Sequence, residues 1–179
     1  MKRIPTGLRK KAQTVKLLLL DVDGVLTDGA IVIDGRGKEI KRFDVRDGQG
    51  IKLLTRARIR VGLITGRASK AVSIRARELG IRIVHQGVRD KRQIYEKIKA
   101  RTRLTDREIA YVGDDLADLP ILRRAGLAIT TNDSWNGLKE MVAYVTRNCG
   151  GRGAVREVAE LILRAQGKWA TITEEYYRY

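Results

Sequence analysis

The chain has 179 residues, enough for one domain with a full core, and 43% of them are hydrophobic, which is ordinary for a globular protein. Its 37 Lys and Arg against 21 Asp and Glu give a formal net charge of +16. No apolar run approaches a membrane span, no signal-peptide core follows the basic N-terminus, and the single Cys149 rules out an internal disulfide, so a cytoplasmic, reducing setting is expected.

Residues 1–14 read as a basic N-terminal tail, with Lys2, Arg3, Arg9, Lys10 and Lys11 and no acid. The remaining positive charge is spread along the chain. Such a field concentrates an anionic substrate near the surface. Specific nucleic-acid binding is not expected, because no recognition module appears and aromatics make up only 5% of the chain.

From Val15 a single domain is expected to run to residue 168. Val15–Leu20 reads as a strand that ends at Asp21. Ala30–Ile33 and Glu39–Phe43 are extended runs joined by Asp34-Gly35-Arg36-Gly37, which predicts a hairpin over 30–43. The pattern then alternates. Helices are predicted at Asp47–Ile59, Ser69–Leu79, Asp90–Ala100, Ala117–Arg124, Ser134–Lys139 and Ala154–Gln166. Strands are predicted between them at Val61–Ile64, Ile81–His85, Ile109–Val112, Leu127–Thr130 and Val142–Val145. Asn148–Gly153, with three glycines, reads as a linker, and residues 169–179 as a C-terminal tail ending in Tyr176-Tyr177-Arg178-Tyr179.

Alternation of this kind predicts an α/β fold: a doubly wound parallel sheet, Rossmann-like, with a small hairpin insert. Ligands then bind beyond the carboxyl ends of the strands. Three polar clusters fall at such ends: Asp21-Val22-Asp23, Thr65-Gly66-Arg67 and Gly113-Asp114-Asp115.

Asp21 and Asp23 crowd two carboxylates behind one strand, an arrangement that a cation between them makes tolerable. Mg²⁺ takes one or two carboxylates together with waters and phosphate oxygens. Gly24 leaves room for a phosphate near backbone N–H groups. The competing reading is an acidic turn that caps a helix. Asp114 can complete the metal site, with Asp115 orienting it from behind. Asp118 reads as a cap for the next helix. Thr65 can donate to phosphate, and Lys91 can neutralise phosphate and the attacking carboxylate, although each also suits an ordinary turn or surface position. His85 reads as structural.

Asp21-x-Asp23-x-Val25, Thr65, Lys91 and Gly113-Asp114-Asp115-x-x-Asp118, in that order, resemble the haloacid dehalogenase superfamily. Asp21 to Gly29, Phe43-Asp44-Val45-Arg46-Asp47-Gly48, Ile64 to Arg67, Gln86-Gly87 and Gly150 to Glu157 narrow the resemblance to its 3-deoxy-D-manno-octulosonate 8-phosphate phosphatases.

The resemblance implies that Asp21 is the nucleophile and a ligand of Mg²⁺. Asp23 is then the general acid–base, lending its backbone carbonyl to the metal, and Asp114 is the third protein ligand. Thr65 and Lys91 hold the phosphoryl group. As an acid, Asp23 must arrive protonated, which calls for a raised pKa. Asp23, Asp44, Val45, Arg46, Asp47, Gly48, Lys52, Thr65, Gly66, Arg67, Arg75 and Lys91 match substrate-binding positions. Lys52 and Asp44 depart from the arginine and asparagine usual there. Arg152 and Arg156 belong either to an inserted C-terminal segment or to a solvated helix start.

No stretch after Asp28 is long enough for a cap domain. The resemblance instead implies a homotetramer, with hairpins packed together and the C-terminal segment reaching a neighbour's site. The expected activity is Mg²⁺-dependent hydrolysis of 3-deoxy-D-manno-octulosonate 8-phosphate in lipopolysaccharide precursor biosynthesis. The alternatives are a phosphatase for another nonulosonate or octulosonate phosphate and, from a different class, a basic nucleic-acid-binding protein on an inactive scaffold.

Overall fold

The computed structural model describes residues 4–177, apart from the side chain of Glu175. The basic residues Lys2 and Arg3 and the terminal Arg178 and Tyr179 lie outside the described residues. Where a tail was expected, Thr6–Gln13 form helix α1. Pro5, with φ −55°, precedes its first turn, and Leu8 and Ala12, one turn apart, pack on the core.

The elements that follow are β1 (Leu17–Leu20), β2 (Val32–Ile33), β3 (Glu39–Ile40), α2 (Val45–Arg56), β4 (Arg60–Ile64), α3 (Lys70–Glu78), β5 (Ile83–His85) and α4 (Lys91–Thr102). After these come β6 (Ile109–Gly113), α5 (Leu119–Leu122), β7 (Leu127–Thr130), α6 (Asn136–Lys139), β8 (Tyr144–Val145), α7 (Ala154–Ala165) and α8 (Trp169–Thr173). The predicted helix over Ala117–Arg124 is split: a 3₁₀ turn, Leu116–Asp118, precedes α5, which opens on Leu119-Pro120.

Six strands form one parallel sheet in the order β5-β4-β1-β6-β7-β8. All four leucines of β1 are buried because both faces of the sheet are covered. Leu18 and Leu20 join one core with residues of α1, α2, α3 and α7, while Leu17 and Leu19 join another with residues of α4 and α5. The chain winds outward from β1 to β4 and β5, then crosses to β6 on the other side. That reversal opens a crevice above β1. Register pairs Leu20 with both Leu63 and Val112, so Asp21, Thr65 and Asp114 emerge at the same end of neighbouring strands.

Two segments depart further from expectation. β2 and β3 pair antiparallel for two residues each, a shorter hairpin than predicted, with Gly37 at φ 76° in its turn. Ile31, Val32, Ile33 and Ile40 are all at least half exposed, so the hairpin's apolar side chains are not covered by the domain, which it meets through Glu39 and Lys41. The C-terminal segment folds back over its own domain. Arg164 lies over the Trp169 ring at 4.4 Å, and the Tyr176 hydroxyl accepts from Gln49 at 2.8 Å and Arg56 at 3.0 Å, both on α2.

Candidate active site

The loop after β1 is pinned from both sides. The Asp21 N–H donates to Val112 O at 3.0 Å, and the Val22 carbonyl accepts from Leu26 at 2.8 Å and Thr27 at 3.0 Å. Gly24 has φ 82°, and a Cβ there would run into Asp114 Oδ2, so a glycine lets the two loops meet. The segment expected as a linker is a brace: Gly150 packs on the Gly24 carbonyl with no space for a side chain, and Gly151 N–H donates to Val25 O at 2.9 Å.

Above the sheet, carboxylate oxygens of Asp21, Asp114 and Asp118 lie within 4.8 Å of one another. Burial and the Asp118 charge push the Asp21 pKa up to about 6, against the pull of Lys91. Burial, with Asp21 and Asp118 nearby, pushes Asp114 up to about 8. Lys91 Nζ sits 2.9 Å from Asp21 Oδ2 and 2.7 Å from Asp118 Oδ1. Burial alone would lower the lysine's pKa; the two carboxylates outweigh it and leave it raised.

Asp118, expected only as a helix cap, is fully buried. Its Oδ1 accepts from Lys91 and from the Tyr111 hydroxyl, and its Oδ2 accepts the N–H of Asp114 at 3.0 Å. It therefore orients both Lys91 and the Asp114 backbone. Asp115, expected in that orienting role, caps the 3₁₀ turn instead, accepting from Leu116 N–H at 2.7 Å with an exposed residue surface. Two groups at the site carry no sequence motif: Tyr111, on Asp118, and Lys41, on Asp23.

The donor set fits a hard divalent cation. Among the described residues Asp21 Oδ1 is buried and takes no hydrogen bond, an anionic orphan that is costly unless a cation meets it. Asp118's oxygens are already spent on N–H, O–H and ammonium donors. That leaves Asp21 and Asp114 as the carboxylates that could hold Mg²⁺, whose preference for few carboxylates they match.

Asp23, on the same loop two residues after Asp21, stands outside that trio, its carboxylate in contact with the ammonium of Lys41. Thr65 is buried at the end of β4, its N–H on His85 O at 2.9 Å, and its hydroxyl receives Arg67 N–H at 3.4 Å. Gly66 follows it, exposed. Arg67 is bound to Glu39 of the hairpin at 2.8 Å. His85, half-buried, has its pKa lowered by burial and by Arg101 and Lys97.

The residues matched to sugar contacts divide in two. Arg75 is paired with Glu78 at 2.8 Å, its guanidinium over Phe43 at 5.9 Å and against Gly48, where a Cβ would strike it. Arg46 is paired with Asp44 at 2.7 Å and donates to Arg152 O at 3.1 Å, while Val45 is exposed. Asp44 also caps α2 through Arg46 N–H.

Asp47, expected to meet substrate, has a buried carboxylate that instead accepts Gly153 N–H at 3.2 Å and Arg156 N–H at 2.8 Å, capping α7. Burial pushes its pKa up to about 6 despite those donors. Lys52 is exposed, nearly two turns along α2. Arg156 is held by Glu160 at 2.8 Å.

A family model for haloacid dehalogenase-like hydrolases matches residues 42–126, a stretch that holds Thr65, Lys91 and Asp114. The 3-deoxy-D-manno-octulosonate 8-phosphate phosphatase KdsC of Escherichia coli strain B / BL21-DE3 is 45% identical over 92% of this chain and 88% of its own. The Moraxella catarrhalis 3-deoxy-D-manno-octulosonate 8-phosphate phosphatase, solved with magnesium ion, phosphate ion and KDO, superposes with a TM-score of 0.92 at 39% identity, covering 94% of this chain and 97% of that one. A probable YrbI family phosphatase from Pseudomonas syringae reaches a TM-score of 0.96 at 40% identity, over 98% and 99% of the two chains. With its buried carboxylates and Lys91 arranged as described, the chain belongs to the 3-deoxy-D-manno-octulosonate 8-phosphate phosphatase family of haloacid dehalogenase-like hydrolases.

Proposed function

We propose that the chain hydrolyses 3-deoxy-D-manno-octulosonate 8-phosphate in the cytoplasm, for lipopolysaccharide precursor biosynthesis. The observation that carries this is Asp21: one carboxylate oxygen rests on Lys91 at 2.9 Å and the other is a buried orphan beside Asp114.

Asp21 attacks phosphorus, forming an O–P bond to its carboxylate as the bond to the sugar oxygen breaks. Asp23 gives its proton to the departing oxygen. In the second half it takes a proton from water, whose oxygen bonds to phosphorus as the aspartyl phosphate opens. Lys91 and Thr65 hold the phosphoryl oxygens, and Lys91 also holds Asp21 in line. Asp21, Asp114 and the Asp23 carbonyl would hold Mg²⁺, which when bound would screen the charge between the two anions.

Arg46, Arg67 and Arg75, matched to family sugar contacts, are the cations this reading assigns to the sugar carboxylate. The exposed apolar hairpin supports a homotetramer in which neighbouring hairpins wall an otherwise open site. Phosphate release from a panel of sugar-acid phosphates tests the assignment. The octulosonate 8-phosphate should turn over fastest, and a chelator should stop the reaction. Equal rates with sugar phosphates that lack a carboxylate would sink the substrate assignment.

A further inference from the structure

Lys41 follows the exposed strand β3, yet its own side chain is only 2% exposed. A lysine buried that far is costly unless its ammonium is paired. Here it touches Asp23 Oδ1 and lies 3.4 Å from Glu39 Oε1. Glu39 is gripped in turn by Arg67, with Nη2 at 2.8 Å and Nε at 3.3 Å. Arg67 holds the Glu39 carboxyl down to about 2, so this acid stays ionised in its role as anchor.

Charges thus alternate along Asp23, Lys41, Glu39 and Arg67. The row joins the loop after β1 to the loop after β4 by way of the hairpin. Among the described residues, the Asp23 carboxylate takes its hydrogen bond from Lys41. An aspartate on a turn, a quarter exposed, otherwise has several staggered rotamers open to it. A proton donor must stand about 2.6–3.2 Å from the atom it serves. A misplacement of about 1 Å can cost about a hundredfold in rate.

We propose that Lys41 is a positioning residue that fixes the rotamer of Asp23, which makes the hairpin part of the catalytic apparatus as well as a surface for assembly. This rests on Asp23 serving as the acid–base group. Lys41 touches no reacting atom; it acts through Asp23, and the Glu39–Arg67 pair holds Lys41 in place.

A double-mutant cycle of Lys41→Met and Asp23→Asn, with Lys41→Arg beside it, tests this. Lys41→Met should lower kcat on the sugar phosphate by about tenfold to a hundredfold, a part of the roughly 10²–10⁴ that acid–base catalysis supplies. KM should move by less than about twofold. In the Asp23→Asn background the same change should cost less than about twofold more. Lys41→Arg should recover part of the rate. In single turnovers with p-nitrophenyl phosphate, whose leaving group needs no proton, transfer to Asp21 should be far less affected, whereas a general loss of structure would slow both substrates alike.

Should Lys41→Met fail to fold, Lys41→Gln keeps a polar end for Glu39 and carries the same comparison. Wild-type kcat in the Lys41 variants, or a loss additive with Asp23→Asn, overturns the proposal. Wild-type turnover in Asp23→Asn overturns the acid–base reading of Asp23 itself.

Discussion

Lys91 Nζ lies 2.7 Å from Asp118 Oδ1, and the same ammonium is 2.9 Å from Asp21 Oδ2. One buried cation thus balances two buried anions, and each of the three is costly without the others. Removing one partner of such a group strands the remaining charge. Asp118→Ala should therefore destabilise the protein by about 3–5 kcal/mol in urea unfolding. Asp118→Asn should fold and still lose at least about tenfold in kcat, because Lys91 is no longer held toward the phosphoryl group. Wild-type unfolding and kinetics in both variants would show that Asp118 is only a helix cap.

Gly24 is where the loop after β1 meets Asp114, and a side chain has no space there. Gly24→Ala adds left-handed strain of about 1–2 kcal/mol and pushes Asp114 aside. Calorimetric titration should find Mg²⁺ affinity reduced by more than tenfold, on the order of the loss of one carboxylate ligand, with only a modest fall in melting temperature. Unchanged Mg²⁺ affinity would contradict the assignment of Asp114 to the metal.

The raised carboxylates give the metal-free protein a specific pH dependence. With pKa values of about 6, Asp21 and Asp47 keep protons in the folded state that the unfolded chain gives up near 3.8. Their contribution is full below the unfolded value and is lost as pH rises through about 6; Asp114, at about 8, extends the loss upward. Melting temperature in a chelator should therefore fall between pH about 5 and about 8. Added Mg²⁺ should restore it by more at the higher pH, releasing about one proton per ion near neutrality. A metal effect that is flat with pH would show that these carboxylates do not hold the ion.

Ile31, Val32, Ile33 and Ile40 put an uncovered apolar surface on the hairpin. Val32→Asp or Ile33→Asp should yield folded monomers in sedimentation velocity, where the unaltered protein should sediment as a tetramer. A monomeric unaltered protein would remove neighbouring subunits from the site.

Much of this was legible in the sequence. The four leucines before Asp21 mark a strand buried on both faces, and strand–helix alternation fixes the side on which its end meets Thr65 and Asp114. Asp118 was read as a cap because an aspartate at a helix start looks the same whether or not a lysine from another helix reaches it. Asp47 matched a sugar-contact motif, yet it caps α7, a partner far away in sequence. Lys41 sits among Lys38 and Arg42, and nothing local separates a buried ammonium from a solvated one. Helix α1 carried a faint signal, Leu8 and Ala12 one turn apart, masked by its lysines and arginines.

Rapid quench of a single turnover, followed by peptide mapping, tests the chemistry at Asp21 most directly. A covalent mechanism predicts a transient phosphate on the peptide that contains Asp21, formed only with Mg²⁺ and absent in Asp21→Asn, which should fold but not turn over. Undiminished phosphate release by Asp21→Asn, or by the wild type in excess chelator, would contradict it.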